Sequence, residues 1–375
     1  MKSLKPLALV GEHVDLETGY AINKFMSNFG KDNVECRTDN QAILENLDSY
    51  RFNTPLNEIE NSDLIILLGT NPKIETPIIN HKIFKAYNNN SRIFNIGENI
   101  SLNYQTEYLG DKLSNLNNEK LIKALKKSSN PLIIIGSAFL SKIKNIKTLK
   151  SIFSFADKYN VITKDKNNLN FLNPYASRVG QLILGNTTKN LCEPFSKLKK
   201  EKFEIVLSFG SEHIASEQFD NCFRVYFGHH GDEGAMKSDI ILPTPLYTEK
   251  NGIFVNIEGR PQEAKKCHNP IGSAKEEWSI IKKLSDEFSF VFEPNTFEQL
   301  RSELLKKHTK LSIFHEILSN DNASPIITDI EFEDCKTQYP INNFYMSDII
   351  SKNSVTMAKC VEEISSTPSL LEKSA

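Results

Sequence analysis

Apolar residues in this chain fall in short continuous runs. Each run stops at a glycine or proline, and most are followed by a stretch with helical spacing. Leu7–Val10 stops at Gly11, and Thr18–Phe29 follows with Tyr20, Ile22, Phe25 and Met26 on one side. Asp63–Leu68 stops in the turn Gly69-Thr70-Asn71-Pro72. Thr76 then caps a helix predicted from Pro77 to about Tyr87. Arg92–Ile96 closes at Gly97, and Leu132–Ile135 closes at Gly136-Ser137. A helix over Ile146–Tyr159 leads to an expected strand at Val161–Thr163. Glu204–Ser208 with Phe209-Gly210, Cys222–Phe227 with Gly228, and Asp239–Leu242 with Pro243 continue the series. Near-continuous apolar strands alternating with helices predict an α/β fold of parallel sheets flanked by helices on both faces.

Composition shifts suggest the organisation. Residues 101–130 are polar and rich in Asn and Lys, and read as a connection between two α/β units. Glu276–Phe288 and Phe297–Lys306 have amphipathic helical spacing, the second behind a Thr296 cap. Residues 319–341 are irregular and acidic, and Ser365–Ala375 has the composition of a disordered end. The expected division is a first α/β subdomain over 1–125, a second over 126–290, and a helical and extended tail over 291–375.

Composition narrows the function classes. The chain has 375 residues, 39% apolar and 25% charged, with 45 Lys+Arg against 47 Asp+Glu and a net charge of -2. That balance argues against a generally basic nucleic-acid binder. No apolar run approaches the roughly 18–20 residues that span a bilayer. The amino terminus has neither a secretory signal nor an Arg/Ser-rich presequence. This fits a bacterial protein, one made inside an organelle, or a processed one. Cys36, Cys192, Cys222, Cys267, Cys335 and Cys360 form no CxxC pair, which argues against a zinc ribbon, an iron–sulphur motif or a thioredoxin motif. Their scatter reads as reduced, buried thiols.

Candidate chemistry is sparse. Gly11, Gly69, Gly136 and Gly210 each end a strand singly, so no GxGxxG dinucleotide fingerprint is present. The densest polar segment is Gly228-His229-His230-Gly231-Asp232-Glu233-Gly234-Ala235. It reads either as a metal or pterin-phosphate site, since glycines let backbone N–H groups approach an anion, or as a tight loop after a strand. Adjacent His side chains are expected to diverge, which disfavours one shared metal. Ala235–Gln262 reads as an edge excursion in which Arg260, beside Glu258, either binds an anion or, as the favoured reading, pairs with Glu258. His13, His81, His213, His268, His308 and His315 have no partner at ligand spacing. No GxSxG, HExxH or Walker A motif occurs. The residues therefore name no catalytic, cofactor-binding or metal-ligating position.

Several segments together resemble the molybdopterin-oxidoreductase superfamily. They are Gly228–Ala235, Ser238-Asp-Ile-Ile-Leu-Pro243, Tyr247-Thr-Glu-Lys250 and Asn256-Ile-Glu-Gly-Arg-Pro-Gln262. Within it, the chain is similar to the large iron–sulphur subunit of respiratory complex I. Asp63–Pro77 is similar to that family's strand followed by TNPRxExP, and Asn343–Cys360 is similar to its mitochondrial and alphaproteobacterial tail. The resemblance runs from about Leu7 to Cys360. It implies the fold of the formate dehydrogenase and DMSO reductase domains, without the amino-terminal iron–sulphur region. Nothing here matches that region, whose cysteines hold one 2Fe–2S and two 4Fe–4S clusters, so the chain resembles the carboxyl-terminal half alone. Cys36 and Cys192 sit in no context that matches the metal ligand of catalytic relatives.

What the resemblance implies is a structural subunit in the peripheral arm of complex I (NADH:ubiquinone oxidoreductase), itself without cofactor. Its partners would be the cluster-bearing half as a separate chain and other peripheral-arm subunits. It would lie on the matrix side of the mitochondrial inner membrane, or on the inner face of an alphaproteobacterial membrane, with membrane association only through the complex. The alternative is a free-standing or pterin-binding molybdopterin-type oxidoreductase.

Overall fold

A computed structural model describes residues 4–30, 33–189, 191–192, 194–198, 200–319, 329–332 and 343–366. The chain forms two compact units. The first comprises residues 1–40 and 175–319, the second residues 41–174 and 320–375. In chain order the strands are β1 (Pro6–Val10), β2 (Val34–Glu35), β3 (Leu64–Leu68), β4 (Arg92–Ile96), β5 (Glu107–Tyr108) and β6 (Pro131–Ile135). They continue as β7 (Leu169–Phe171), β8 (Ile205–Phe209), β9 (Phe223–Gly228), β10 (Ile240–Pro243), β11 (Gly252–Val255) and β12 (Pro261–Ala264).

Among the described residues each unit holds one parallel sheet. In the first the order is β10-β9-β8-β1-β2, and in the second β5-β4-β3-β6-β7. The central strands are apolar on both faces because both faces are covered: every residue of β1, β3 and β6 is buried. The expected fold class therefore holds. β11 and β12 form an antiparallel hairpin, the excursion read from Ala235–Gln262.

The expected contiguous division does not follow the units. A cut after residue 125 separates β3 from its neighbour β6, and β1 from its neighbour β8. Periodicity marks which residues are buried, not which strand they pair with. The polar stretch 101–130 is also more than a connection: it holds β5 and the helix Glu119–Leu125, with Leu113, Leu116 and Leu121 fully buried. Val161–Thr163 is not a strand. Ile162 makes an isolated bridge to Asn167, and the chain reverses before β7 takes the edge position.

The longer helices before residue 320 match the spacing closely. They are α1 (Leu16–Met26), α2 (Pro77–Asn88), α3 (Ile146–Lys158), α4 (Glu277–Glu287) and α5 (Phe297–Lys307), and a further long helix, Val355–Ser366, lies in the tail. Thr296 caps α5 as expected, its hydroxyl accepting from Gln299 N at 3.3 Å. α1 starts earlier than expected because Asp15 is its cap. Of the irregular segment 319–341, residues 320–328 and 333–341 lie outside the described residues, as does 367–375 of the end expected to be disordered. No helix among the described residues is long and apolar enough to cross a membrane.

Candidate functional site

Open parallel sheets bind ligands in the crevice at the carboxyl ends of the strands, where the strand order reverses direction. In the first unit this switch point lies between β1 and β8. Gly11 and Gly210 meet there: a Cβ on Gly11 would collide with the Gly210 carbonyl, and Gly210 has φ +64°. The flanking residues are Glu12-His13 and Ser211-Glu212. In the second unit the switch point lies between β3 and β6, where a Cβ on Gly136 would collide with the Gly69 carbonyl and Gly69 has φ +60°. Close backbone approach thus explains Gly11 and Gly136, and a positive φ explains Gly69 and Gly210.

The polar segment after β9 forms a tight turn. Asp232 accepts from Ala235 N at 2.7 Å, capping the short helix Glu233–Met236, and from the Tyr226 hydroxyl at 2.8 Å. The two histidines do not diverge. Their Nδ1 atoms stand 2.6 Å apart with the rings nearly perpendicular, a spacing at which one nitrogen donates a proton to the other. Burial, then the charges of His230, His13 and Lys250, push the His229 pKa down to about 3. Among the described residues no group of three or more His, Cys, Asp or Glu side chains could hold a metal ion. Arg260 lies 3.7 Å from Glu258, the ion pair read from the sequence, and also donates to the His315 carbonyl.

Behind the first crevice lies a buried ionic network. Asp15 accepts from Thr18 N at 2.7 Å and from the Thr18 hydroxyl at 3.0 Å. It also receives Lys250 Nζ at 2.7 Å, and Lys250 reaches both oxygens of Glu277 at 2.9 and 2.8 Å. The two carboxylates hold the fully buried Lys250 ammonium charged against its desolvation. Gly252 lets the backbone pass Asp15, since a Cβ there would press on the Asp15 side chain. Two residues further along, in the first turn of α1, Glu17 accepts from Arg301 Nε at 2.6 Å and from Ile253 N at 2.9 Å. Burial, then the Asp15 charge, raise the pKa of the Glu17 carboxyl to about 7 in spite of Arg301. Arg301 also pairs with Glu263 at 2.5 Å.

The second crevice has the same character. Half-buried Glu75 accepts from the Thr70 hydroxyl at 2.5 Å and from Asn71 N at 3.1 Å. It also accepts from the Ser137 hydroxyl at 2.5 Å and from Ser137 N at 3.3 Å. Burial raises its pKa, and these four donors oppose the rise. Both crevices therefore direct donors at a carboxylate of the chain itself.

An anionic pterin needs free donors and, in catalytic use, a ligand to its metal. The donors at Thr18, Thr70, Asn71 and Ser137 are engaged by Asp15 and Glu75. Glu12 and Glu212 add negative charge beside Gly11 and Gly210. Cys36 is wholly buried, its thiol pKa is pushed up to about 12 by that burial, and among the described residues it joins no group of His, Cys, Asp or Glu that could hold a metal. The residues of each unit, taken by itself, do not fit the pterin. None of the five described cysteines is in a disulfide. Cys36 and Cys192 are buried as expected, whereas Cys222 and Cys360 are half-exposed and Cys267 is exposed.

Sequence reading assigned no role to Asp15, Glu17, Glu75, Glu277 or Arg301. Two of them carried a local signal: Asp15 the Asp-x-x-Thr spacing of a helix cap, and Glu75 its place as the Glu of the segment similar to TNPRxExP. The others acquire partners through the tertiary fold.

Comparison with known proteins gives the chain its relatives. Residues 2–287 match the family model described as molybdopterin oxidoreductase. Residues 317–360 match one described as the C-terminal region of an NADH-ubiquinone oxidoreductase subunit. The corresponding NADH-quinone oxidoreductase subunit of Rickettsia bellii is 34% identical over 376 residues, spanning 96% of this chain and 54% of that protein. The NADH-ubiquinone oxidoreductase 75 kDa subunit of Reclinomonas americana is 34% identical over 94% of this chain and 54% of its own length. The mitochondrial 78 kDa subunit of Candida albicans is 33% identical over 94% and 51% respectively. The chain thus spans about half the length of these curated relatives. Among solved structures, a chain of the formyltransferase/hydrolase complex (FhcABCD) of Methylorubrum extorquens superposes with TM-score 0.53 and 11% identity. That match covers 81% of this chain and 93% of that one, and it shows the fold alone.

Proposed function

We propose, from the premise that this chain belongs to the molybdopterin oxidoreductase family, that it serves as a structural half of the large subunit of respiratory complex I. It carries no active site and no cofactor. The observation that carries this reading is that Asp15 engages the donors at the start of α1 behind the first crevice and Glu75 engages those at the second, in a chain whose relatives are complex I subunits along almost all of its length. In this reading the 2Fe–2S and 4Fe–4S clusters reside in the remaining half of the subunit, a separate polypeptide. This chain holds that half within the peripheral arm while electrons pass from NADH to quinone. The complex sits at the mitochondrial inner membrane, with this chain on the matrix side and touching the membrane only through other subunits.

Native-gel complexome profiling tests the role. The chain is expected to comigrate with the cluster-bearing half and with NADH dehydrogenase activity. Its deletion should lower the amount of assembled complex while turnover per assembled complex stays unchanged. Migration alone near 42.6 kDa, or full assembly with lost electron transfer, overturns the proposal. Molybdenum or tungsten at stoichiometric level in the native protein would favour the pterin enzyme instead.

A further inference from the structure

Among the described residues, part of one sheet face of the first unit is exposed. In a parallel sheet, residues paired across neighbouring strands share a face. The register pairs Ala8 with Leu207, Leu207 with Val225, and Val225 with Ile240, and likewise Phe209 with Phe227 and Phe227 with Leu242. Near the carboxyl ends this face is closed: Leu207, Phe209 and Phe227 are buried, and the last two rings stack 4.3 Å apart. Toward the amino ends it opens. Phe223 is 47% exposed and Ile240 43%, with Ile205, Val225 and Leu242 half-buried between and beside them.

The topology explains the gap. The β8-to-β9 and β9-to-β10 crossovers both lie on the opposite face, where Ile214, Phe219 and Ala235 pack on Val206 and Tyr226. The reverse crossover from β1 to β2 carries α1, which packs on β1, β2 and β11. No crossover among the described residues therefore belongs to the β9–β10 side of this face. Parallel sheets normally bury both faces under helices. Three strands at about 4.8 Å spacing make a strip roughly 10 Å wide, the diameter of one helix.

We propose that Ile205, Phe223, Val225, Ile240 and Leu242 form the docking surface for one amphipathic helix of the polypeptide that carries the remaining half of the family's chain. The occupant is chosen on length: relatives matched along 94–96% of this chain are nearly twice as long, so the family fold includes about as much chain again. The inference rests on the reading that this half is a separate polypeptide of the same complex.

The test uses this 375-residue chain co-expressed with the cluster-bearing half. A photo-crosslinking p-benzoylphenylalanine replaces Phe223 in one preparation and Ile240 in another. Both are expected to crosslink to one helical stretch of that half, at positions three or four residues apart. The double variant Phe223→Glu/Ile240→Glu should lower co-purification of that half at least tenfold, whereas Val291→Glu, at another exposed apolar position, leaves it unchanged. Should the double variant misfold by circular dichroism, the crosslinks alone decide. Crosslinks to a second copy of this chain or to another subunit, no crosslinks, or unchanged co-purification of a folded double variant overturn the docking surface while leaving the complex I reading intact. Failure of the unsubstituted chain to associate with the cluster-bearing half or the complex overturns both.

Discussion

At the scale of single residues, the decisive groups are buried carboxylates with assigned partners. Lys250 belongs to a segment with the look of a binding motif, yet its ammonium is spent on Asp15 and Glu277. Glu17 shows how the network responds to pH. Its pKa is raised to about 7 by burial and by Asp15, so the native state keeps its proton at pH values where the unfolded chain has released it. Its contribution to stability is therefore full below the unfolded pKa and declines as pH rises through about 7. The loss is on the order of 3 kcal/mol between about pH 4.5 and 8. Glu17→Gln is expected to remove that part of the slope, read as the change in urea-unfolding free energy across about pH 5–8. An unchanged slope would show that Glu17 is ionised in the native state throughout. None of this was legible in the sequence, because a glutamate acquires its pKa from neighbours that only folding supplies.

At the scale of elements, the sequence was most informative where one local rule governs. The apolar runs became β1, β3 and β6, and Thr296 caps α5. The strand-ending glycines were placed correctly, but their reason was not visible: Gly11 and Gly136 allow a second strand end to approach, and that strand lies far away in the chain. Gly136→Ala is expected to cost about 3 kcal/mol or more, since overpacking against rigid backbone cannot relax cheaply. Gly231→Ala, where nothing lies within 4 Å of the added methyl, should change stability by less than about 0.5 kcal/mol. Chemical denaturation of the two variants separates close approach from a generic loss of glycine. The expectation at Val161–Thr163 failed for a related reason. Three β-prone residues suffice for a strand only if a neighbour offers an edge, and β7 takes the edge of β6 instead.

At the scale of the whole molecule, pairing runs across the chain order. β1 joins β8, β3 joins β6, and the second sheet is inserted between the parts of the first. A chain ending at residue 125 is expected not to fold, because β1 and β3 each lack a central neighbour. Residues 41–174, which contain the complete second sheet, should unfold cooperatively by themselves. Circular dichroism during thermal melting of both fragments checks this, and a cooperative transition in the shorter one would contradict the pairing. The sequence by itself determined the fold class, most of the helices and strands, and the resemblance, because burial periodicity, caps and motif order are local and survive without coordinates. Only the tertiary structure decided which strands are neighbours, which donors Asp15 and Glu75 engage, that His229 and His230 face each other, and that the β9–β10 face is exposed among the described residues. The reason is physical. An apolar run states that a segment is buried, and a charge states that it needs a partner, but neither says against what. That choice is made by chain topology, which brings together groups hundreds of residues apart.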